Sequence, residues 1–463
     1  MNIVVLNGSP KGGNSVTMQS VRFLQNRFPD HEFTILNVSE RIGKLERDGD
    51  EFQEVVNRVW AAQGVLWAFP LYVLLVPAQY KRFIELITEK RVGDVFKDKY
   101  AAALTTSIHF FDHTAHWYIR AVSEDLDMKW LGSYSADMYD LAIKQEQERL
   151  AKFARQFLDD IEARVPTAKA NMAPVHLPPR YSPAKAERQV DQGDKKVVVL
   201  TDLEKDWKNL AGMITRFMGS FSRRPELIHL DSLKMKGGCL GRLRCSLDNA
   251  CQYHDPDRYR EVFEKSLKTA DILILAGNVK DRYLSSQWKM FFDRAFYNNH
   301  VPVFSGRQVG FLISGPLTQL PELRQILESY FQIQGANIVG LVSDECGDGA
   351  ELDALVSDLA HRAVRLAEME YVAPPTFPVV GGKKIFRDEV WGRLRFVFQA
   401  DHEYYRKNGL YDFPHKDFKT RARSTIFMLL TKIPAFRREF QRRIVTEMIK
   451  PHRRALGEDK KKE

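Results

Sequence analysis

Cysteine is scarce in this chain: four residues in 463, three of them crowded between Cys239 and Cys251. So few cannot build a disulfide framework, and the crowding points to a metal or cluster ancestry for that one segment. Long hydrophobic runs are lacking as well. The longest uncharged apolar stretch, Gly64 to Ala78, is broken by Pro70 and Pro77 and is too short to span a bilayer. No basic region precedes the first apolar run, Asn2-Ile3-Val4-Val5-Leu6, which reads as a buried strand and not as a secretory leader, so a cytoplasmic protein is expected. An excess of basic charge is missing from the first 380 residues, where 47 Lys and Arg stand against 49 Asp and Glu, whereas residues 381–463 hold 22 against 11. The body, at −2, has no electrostatic reason to bind nucleic acid, while the tail, at +11, has reason to meet an anionic partner.

What is present is one pattern written twice. Leu6, Phe23 and Leu36 match Leu200, Phe217 and Leu230 at an offset of 194. From Ala68 onward the offset becomes 208: Gln79, Lys81, Phe83 and Glu85 meet Gln287, Lys289, Phe291 and Asp293, and Leu131-Gly132 meets Val339-Gly340. This is an internal duplication with fourteen residues gained in the second copy. Each copy alternates short apolar runs with amphipathic stretches, the signature of βα units and a parallel sheet. Strands are expected near Ile3, Phe33, Gly64, Tyr100 and Leu131, and again near Lys196, Glu226, Ile272, Gln308 and Asn337. Five strands per copy fit an α/β fold of two tandem flavodoxin-like, doubly wound parallel sheets. Domains are drawn at 1–168 and 196–372, joined by a proline-rich linker at 169–195 and followed by a basic helical extension at 373–463.

The chemistry sits in the first copy. Asn7-Gly8-Ser9-Pro10-Lys11-Gly12-Gly13-Asn14-Ser15 runs from a strand into a helix, where unpaired backbone N–H groups meet the positive end of the helix dipole. Gly12 and Gly13 let the backbone approach an anion, Ser9, Asn14 and Ser15 add neutral donors, and Lys11 adds charge. The segment is a phosphate cradle. It lacks the G-x-G-x-x-G of a dinucleotide site, and Asn14 stands where a nucleotide P-loop requires lysine. After the third strand, Pro70-Leu71-Tyr72-Val73 opens an apolar and aromatic loop at the carboxyl edge, where a flat ring would explain the composition. After the fourth, Thr106 and Ser107 can hydrogen-bond a ligand edge, and His109, Asp112, His113 and His116 crowd the loop that follows. His109 and His113 are the candidates to tune proton delivery there; no residue is assigned a covalent catalytic role, and a metal is not expected.

On residues 3–15 and on Pro70-Leu71-Tyr72-x-x-x-Val76-Pro77-Ala78-Gln79-x-Lys81, the sequence resembles the NAD(P)H-dependent FMN reductases and iron–sulfur flavoproteins of the flavodoxin-like superfamily. The resemblance implies FMN, with Ser9, Lys11, Asn14 and Ser15 on its phosphate and Pro70, Leu71, Tyr72 and Val73 along the isoalloxazine. It covers residues 1–165 well, 195–372 weakly and the tail not at all. Many relatives carry a small Gly-Ser pair after the aromatic residue; Leu74-Leu75 is bulkier and is expected to narrow access. The resemblance also implies dimers in which one subunit covers the flavin of the other, a task that a fused second copy would perform within one chain as an internal pseudo-dimer.

The second copy has Thr201-Asp202-Leu203-Glu204-Lys205-Asp206-Trp207 where the cradle belongs, and its carboxylates would repel a phosphate. Its segment Cys239 to Cys251 is similar to the cluster segment of iron–sulfur flavoproteins, with Arg242 in place of the second cysteine. Cys239, Cys245 and Cys251 leave a four-ligand site one short, so a stable iron–sulfur cluster is not expected.

In the tail, Ile433, Phe436, Phe440, Ile444 and Met448 recur at helical spacing opposite Arg437, Arg438, Arg442 and Arg443. This basic amphipathic helix suits either a peripheral attachment to the anionic inner face of a membrane or docking on the body. The sequence reads as a cytoplasmic FMN-dependent oxidoreductase that takes a hydride from NAD(P)H and passes electrons to a quinone-like, flavin or protein acceptor. The alternative is a flavin electron-transfer protein that does not itself oxidise nicotinamide.

Overall fold

A computed structural model describes residues 1–253 and 257–456. In the first copy the strands are β1 (Asn2–Asn7), β2 (Glu32–Leu36), β3 (Gly64–Pro70), β4 (Tyr100–Ser107) and β5 (Lys129–Asp137). In the second they are β6 (Val197–Thr201), β7 (Glu226–His229), β8 (Ile272–Asn278), β9 (Gln308–Ser314) and β10 (Asn337–Ser343). All ten expected strands are present. The two sheets are wholly parallel and share one order, β2-β1-β3-β4-β5 and β7-β6-β8-β9-β10. Both copies are therefore α/β with the doubly wound arrangement that the duplication implied.

Helices α1 (Val16–Arg27), α2 (Ile42–Arg47), α3 (Gly49–Ala61), α4 (Ala78–Glu89), α5 (Asp112–Asp125) and α6 (Lys144–Glu162) connect and flank the first sheet. The second carries α7 (Lys208–Gly219), α8 (Tyr259–Val262), α9 (Ser286–Ala295), α10 (Pro321–Ile333) and α11 (Gly349–Glu368). The extension forms α12 (Phe377–Trp391), α13 (Gln399–Lys407), α14 (Phe418–Leu430) and α15 (Pro434–Ala455). Every residue of β6 and β9 is buried, because helices cover both faces of a parallel sheet, and this is why these strands read as unbroken apolar runs. Edge strand β5 is only half covered and mixes Lys129, Ser133 and Tyr134 into the same pattern.

One hydrophobic core is common to both copies. Val76, Tyr80, Phe83 and Ile84 of the first join Trp288, Phe291, Phe292 and Phe331 of the second in a single buried cluster, while each copy keeps a further core on its other face. The copies meet chiefly along α4 and α9. By its internal contacts the chain separates into a unit of Met1–Glu403 and a second beginning at Tyr404. The linker is ordered in its own right: Asn171 donates from its backbone (2.7 Å) and amide side chain (2.8 Å) to Glu124, and the Tyr181 hydroxyl donates to Asp353 at 2.6 Å.

Candidate functional site

The cradle begins where β1 ends at the buried Asn7. Gly8 donates its N–H to Ala68 O at 2.8 Å, and a Cβ on it would come within 2.5 Å of the Tyr80 ring, so only glycine fits. Ser9 is buried, donates its N–H to Asn7 Oδ1 at 2.9 Å, and accepts the Lys11 N–H at 3.2 Å. Gly12 has φ +56°, a left-handed conformation that glycine adopts without strain, and a side chain there would collide with the Glu40 carboxylate. Ser15 caps α1, its hydroxyl accepting the Met18 N–H at 3.2 Å. The N–H groups of Val16 and Thr17 have no partner within the helix ladder, and the first turn of α1 holds no acidic residue. The Arg22 guanidinium lies 3.1 Å from where a Gly13 Cβ would be. The Arg22 guanidinium and the Glu40 carboxylate thus both reach the glycines of the loop.

Hydrogen bonds stitch the other two loops to this one. Leu71 N–H donates to Thr106 O at 3.1 Å, and the buried hydroxyls of Thr106 and Thr17 lie 2.7 Å apart. Tyr72 and Leu75 exchange backbone hydrogen bonds at 2.8 and 3.0 Å around Val73 and Leu74, whose φ values are 36° and 65°. That two-residue turn needs left-handed backbone at both positions, a conformation unfavourable for a β-branched valine. The Thr114 hydroxyl donates to Leu74 O at 2.6 Å and holds the strained turn against α5. Leu74 and Leu75 are both buried in the shared core.

Among the histidines the structure separates roles that spacing could not. His109, half exposed and at φ 59°, places Nδ1 at 3.2 Å from both Asp112 Oδ2 and Ser135 Oγ. The Ser135 hydroxyl donates to Asp112 at 2.6 Å. Burial works against the Asp112 charge, but the hydrogen bonds from Ser135 and His109 outweigh it and hold the carboxyl below its usual range. His113 packs against the Phe111 ring at 5.3 Å. His116 is turned inward, with Nε2 at 2.7 Å from Thr105 Oγ1, and burial pushes its pKa down to about 4. Ser107 accepts the His109 N–H at 2.9 Å.

The cysteine segment of the second copy lies on the ring loop of the first. Gln79 Nε2 donates to Cys239 O at 3.3 Å, and Lys289 donates to Tyr72 O at 2.9 Å. The Tyr72 hydroxyl is buried without a hydrogen-bond partner, against Gly241, whose φ of +61° and lack of a side chain make room for it. Burial pushes the Cys239 thiol up to about 12 and Cys245 up to about 11, so both are neutral near pH 7. Among the described residues, no group of three or more His, Cys, Asp or Glu side chains is placed to hold a metal ion.

Helix α12 and the turn after it cover the neighbouring edge. Phe386 stacks on His300 at 3.8 Å and meets Phe110 edge-on at 4.8 Å. Arg393 donates to both oxygens of Asp137, at the end of β5, at 2.7 and 2.6 Å. Asp401, fully buried, accepts from His300 N and Nδ1 at 3.1 and 2.6 Å.

At the matching places in the second copy, protein fills the site. Asp202 stands where Gly8 does, accepts from Ser285, and is pushed up to about 6 by burial. The buried Asp344 carboxylate accepts from Ser314 (2.7 Å), Gly315 N (2.9 Å), His176 (2.8 Å) and Asn209 (3.0 Å), the last standing where Ser15 caps α1. An internal carboxylate and the linker thus occupy the edge where an anion would enter. A cavity of about 310 Å³ remains beside Lys280 and Asp281, counterparts of Tyr72 and Val73, with Pro174 and His176 of the linker in its wall.

Thr17, Arg22 and Ser135 carry no expectation from the sequence, whereas Phe386 belongs to the aromatic stretch 383–419, whose composition suits docking on the body. Arg22 had a readable signal, since it follows Ser15 by seven residues and so shares its helix face. Ser135 had none, because a distant strand brings it in.

Residues 1–133 match the family described as NADPH-dependent FMN reductase. No curated protein matches the sequence. Among solved structures, the chain is similar to an apo NADH:FMN oxidoreductase, EMOB, at 18% identity over 36% of this chain and 91% of that one, with a TM-score of 0.30. It is similar to FerB, a flavoenzyme NAD(P)H:(acceptor) oxidoreductase of Paracoccus denitrificans, at 20% identity over 35% of this chain and 97% of that one, with a TM-score of 0.30. General stress protein 14 of Treponema denticola, solved with FMN, is 13% identical over 35% of this chain and 98% of its own, with a TM-score of 0.26.

Proposed function

We propose that the chain is an FMN-dependent NAD(P)H oxidoreductase with one flavin site, formed by the first copy and walled by the second. The observation that carries this reading is the asymmetry of the two loops. One keeps glycine where Tyr80 and Glu40 leave no room for a side chain and leads into the N-terminus of α1; the other is closed by Asp202, Asp344 and the linker. The residues present fit the cofactor. Gly8 and Gly12 carry no side chain because Tyr80 and Glu40 already stand there, which leaves a bare backbone loop with Lys11 and Arg22 as counter-charges, and the buried Tyr72 hydroxyl lacks a partner.

In this reading Ser9, Lys11, Asn14, Ser15 and Arg22 hold the phosphate, with Gly12 and Gly13 admitting it. Pro70, Leu71, Tyr72 and Val73 lie beside the ring, and Thr106 and Ser107 bind its edge or the ribityl chain. Bound FMN would supply hydride acceptance from the nicotinamide and electron transfer to a quinone-like, flavin or protein acceptor. Asp112 and Ser135 fix the His109 ring through Nδ1 and leave Nε2 free to face a ligand edge, the position from which it would tune proton delivery. The neutral Cys239 and the Gly238–Gly241 turn exclude water from the loop they cover.

The test is the visible spectrum of the purified protein followed by anaerobic mixing with NADH and with NADPH. A flavin spectrum bleached by either nucleotide supports the proposal. Bound flavin that neither reduces would make the chain an electron-transfer protein, and a chain that cannot take up FMN would overturn the site.

A further inference from the structure

No side chain of α14 is buried, and none of the described side chains of α15 is buried either. Both helices nevertheless carry large apolar groups. Met428 is 68% exposed, Val445 68% and Met448 67%, and Ile433, Phe440 and Ile444 are exposed beside them. Phe427 of α14 faces Phe436 of α15 with ring centroids 6.4 Å apart, so the two helices present their apolar residues as a joined surface. Soluble proteins rarely leave so much contiguous apolar surface to water, and where they do it marks an interaction site.

The charge around that surface selects the partner. Residues 419–454 contain 11 Lys and Arg against two Asp and Glu. We propose that α14 and α15 form a lipid-docking unit that lies in the headgroup region of an anionic bilayer, apolar side chains inserted and arginines at the phosphates. No helix among the described residues is long and apolar enough to cross a membrane, which makes this a surface attachment. A polyanion such as RNA would use the arginines and leave the apolar face in water. A second copy of the chain would bury the apolar face but bring an excess of +9 against an equal excess. A bilayer of anionic lipid satisfies both features at once. The inference is independent of the flavin site.

The experiment uses the full-length protein and sedimentation with vesicles of phosphatidylcholine alone or mixed with phosphatidylglycerol. Binding to the mixed vesicles should exceed binding to the neutral ones by at least about tenfold, given roughly 1 kcal/mol for each basic residue near the leaflet. Arg437→Gln with Arg438→Gln should remove about tenfold or more of that affinity. Phe440→Glu with Ile444→Glu should abolish the part that survives raised salt. These positions are exposed, so circular dichroism should be unchanged in both variants. Failure to bind mixed vesicles overturns the proposal. So does equal binding to transfer RNA that ignores the apolar substitutions, or concentration-dependent self-association that those substitutions abolish.

Discussion

Glu85 and Asp293, 208 positions apart, cap each other's helices. Glu85 on α4 accepts the backbone N–H and hydroxyl of Ser286, the first residue of α9, at 2.6 and 2.5 Å. Asp293 on α9 accepts the N–H of Ala78, the first residue of α4, at 2.8 Å. The exchange is reciprocal at the offset of the duplication, as an isologous two-fold contact requires. Each carboxylate is also paired with a buried lysine one turn earlier, Lys81 and Lys289. An interface that could have joined two chains is thus built within one.

Asp293→Asn should destabilise the protein by on the order of 3 kcal/mol, because it leaves the fully buried Lys289 without its counter-charge. Adding Lys289→Met should recover most of that loss, since replacing a whole buried pair is far cheaper than breaking it. Urea denaturation of the three proteins reads the difference. If the single variant is as stable as the parent, the pair does not hold the copies together.

On the proposed reading the flavin content should be one FMN per chain, because, of the two equivalent loops, only the first would admit phosphate. Ser15→Asp should expel it by placing a carboxylate at the α1 N-terminus, whereas Asp206→Asn should leave it bound. Extraction and absorbance after dialysis against FMN give the stoichiometry. Two flavins per chain, or equal losses from both substitutions, would refute the assignment to the first copy.

The duplication made the architecture legible in the sequence: every strand was placed, because apolar runs such as Val197–Leu200 and Ile272–Ala276 recur at a constant offset. The loop from Gly8 to Ser15 between β1 and α1 was legible for a similar reason, being local in sequence. What the sequence could not show depends on pairs distant along the chain. Spacing grouped His109, His113 and His116 together, yet Ser135 from β5 and Thr105 from β4 decide which is exposed and which is buried. Pro174 and His176 read as plain linker, and only the fold brings His176 to the Asp344 carboxylate.

Stability should depend on His116 over a defined pH window. Its folded pKa of about 4 lies below the ordinary 6.5, so between these values the unfolded chain binds a proton that the folded chain does not. The contribution is full above about pH 6.5 and lost as the pH falls toward 4, a change on the order of 3 kcal/mol. His116→Gln keeps a partner for Thr105 and removes the titration. The stability of the parent minus that of the variant, measured on flavin-free protein, should therefore fall across this window and be flat above it. A difference that is constant from pH 7 to 4 would mean that His116 is solvated and titrates normally.

The covering of the third loop by α12 leads to an effect on access. Phe386 is wedged between His300 and Phe110, and the paired hydrogen bonds from Arg393 hold the Asp137 carboxyl below its usual range in spite of its burial. Phe110 lies between His109 and Phe111, both in left-handed backbone, so the loop's conformation rests on neighbours of this kind. Phe386→Ala with Arg393→Ala removes both attachments without touching the cradle. Flavin content should stay at the parental level, while iodide quenching of the bound flavin should rise and the KM for a bulky quinone should fall more than that for NADH or NADPH. An unchanged quenching constant at full flavin content would show that α12 braces the two copies and does not limit entry.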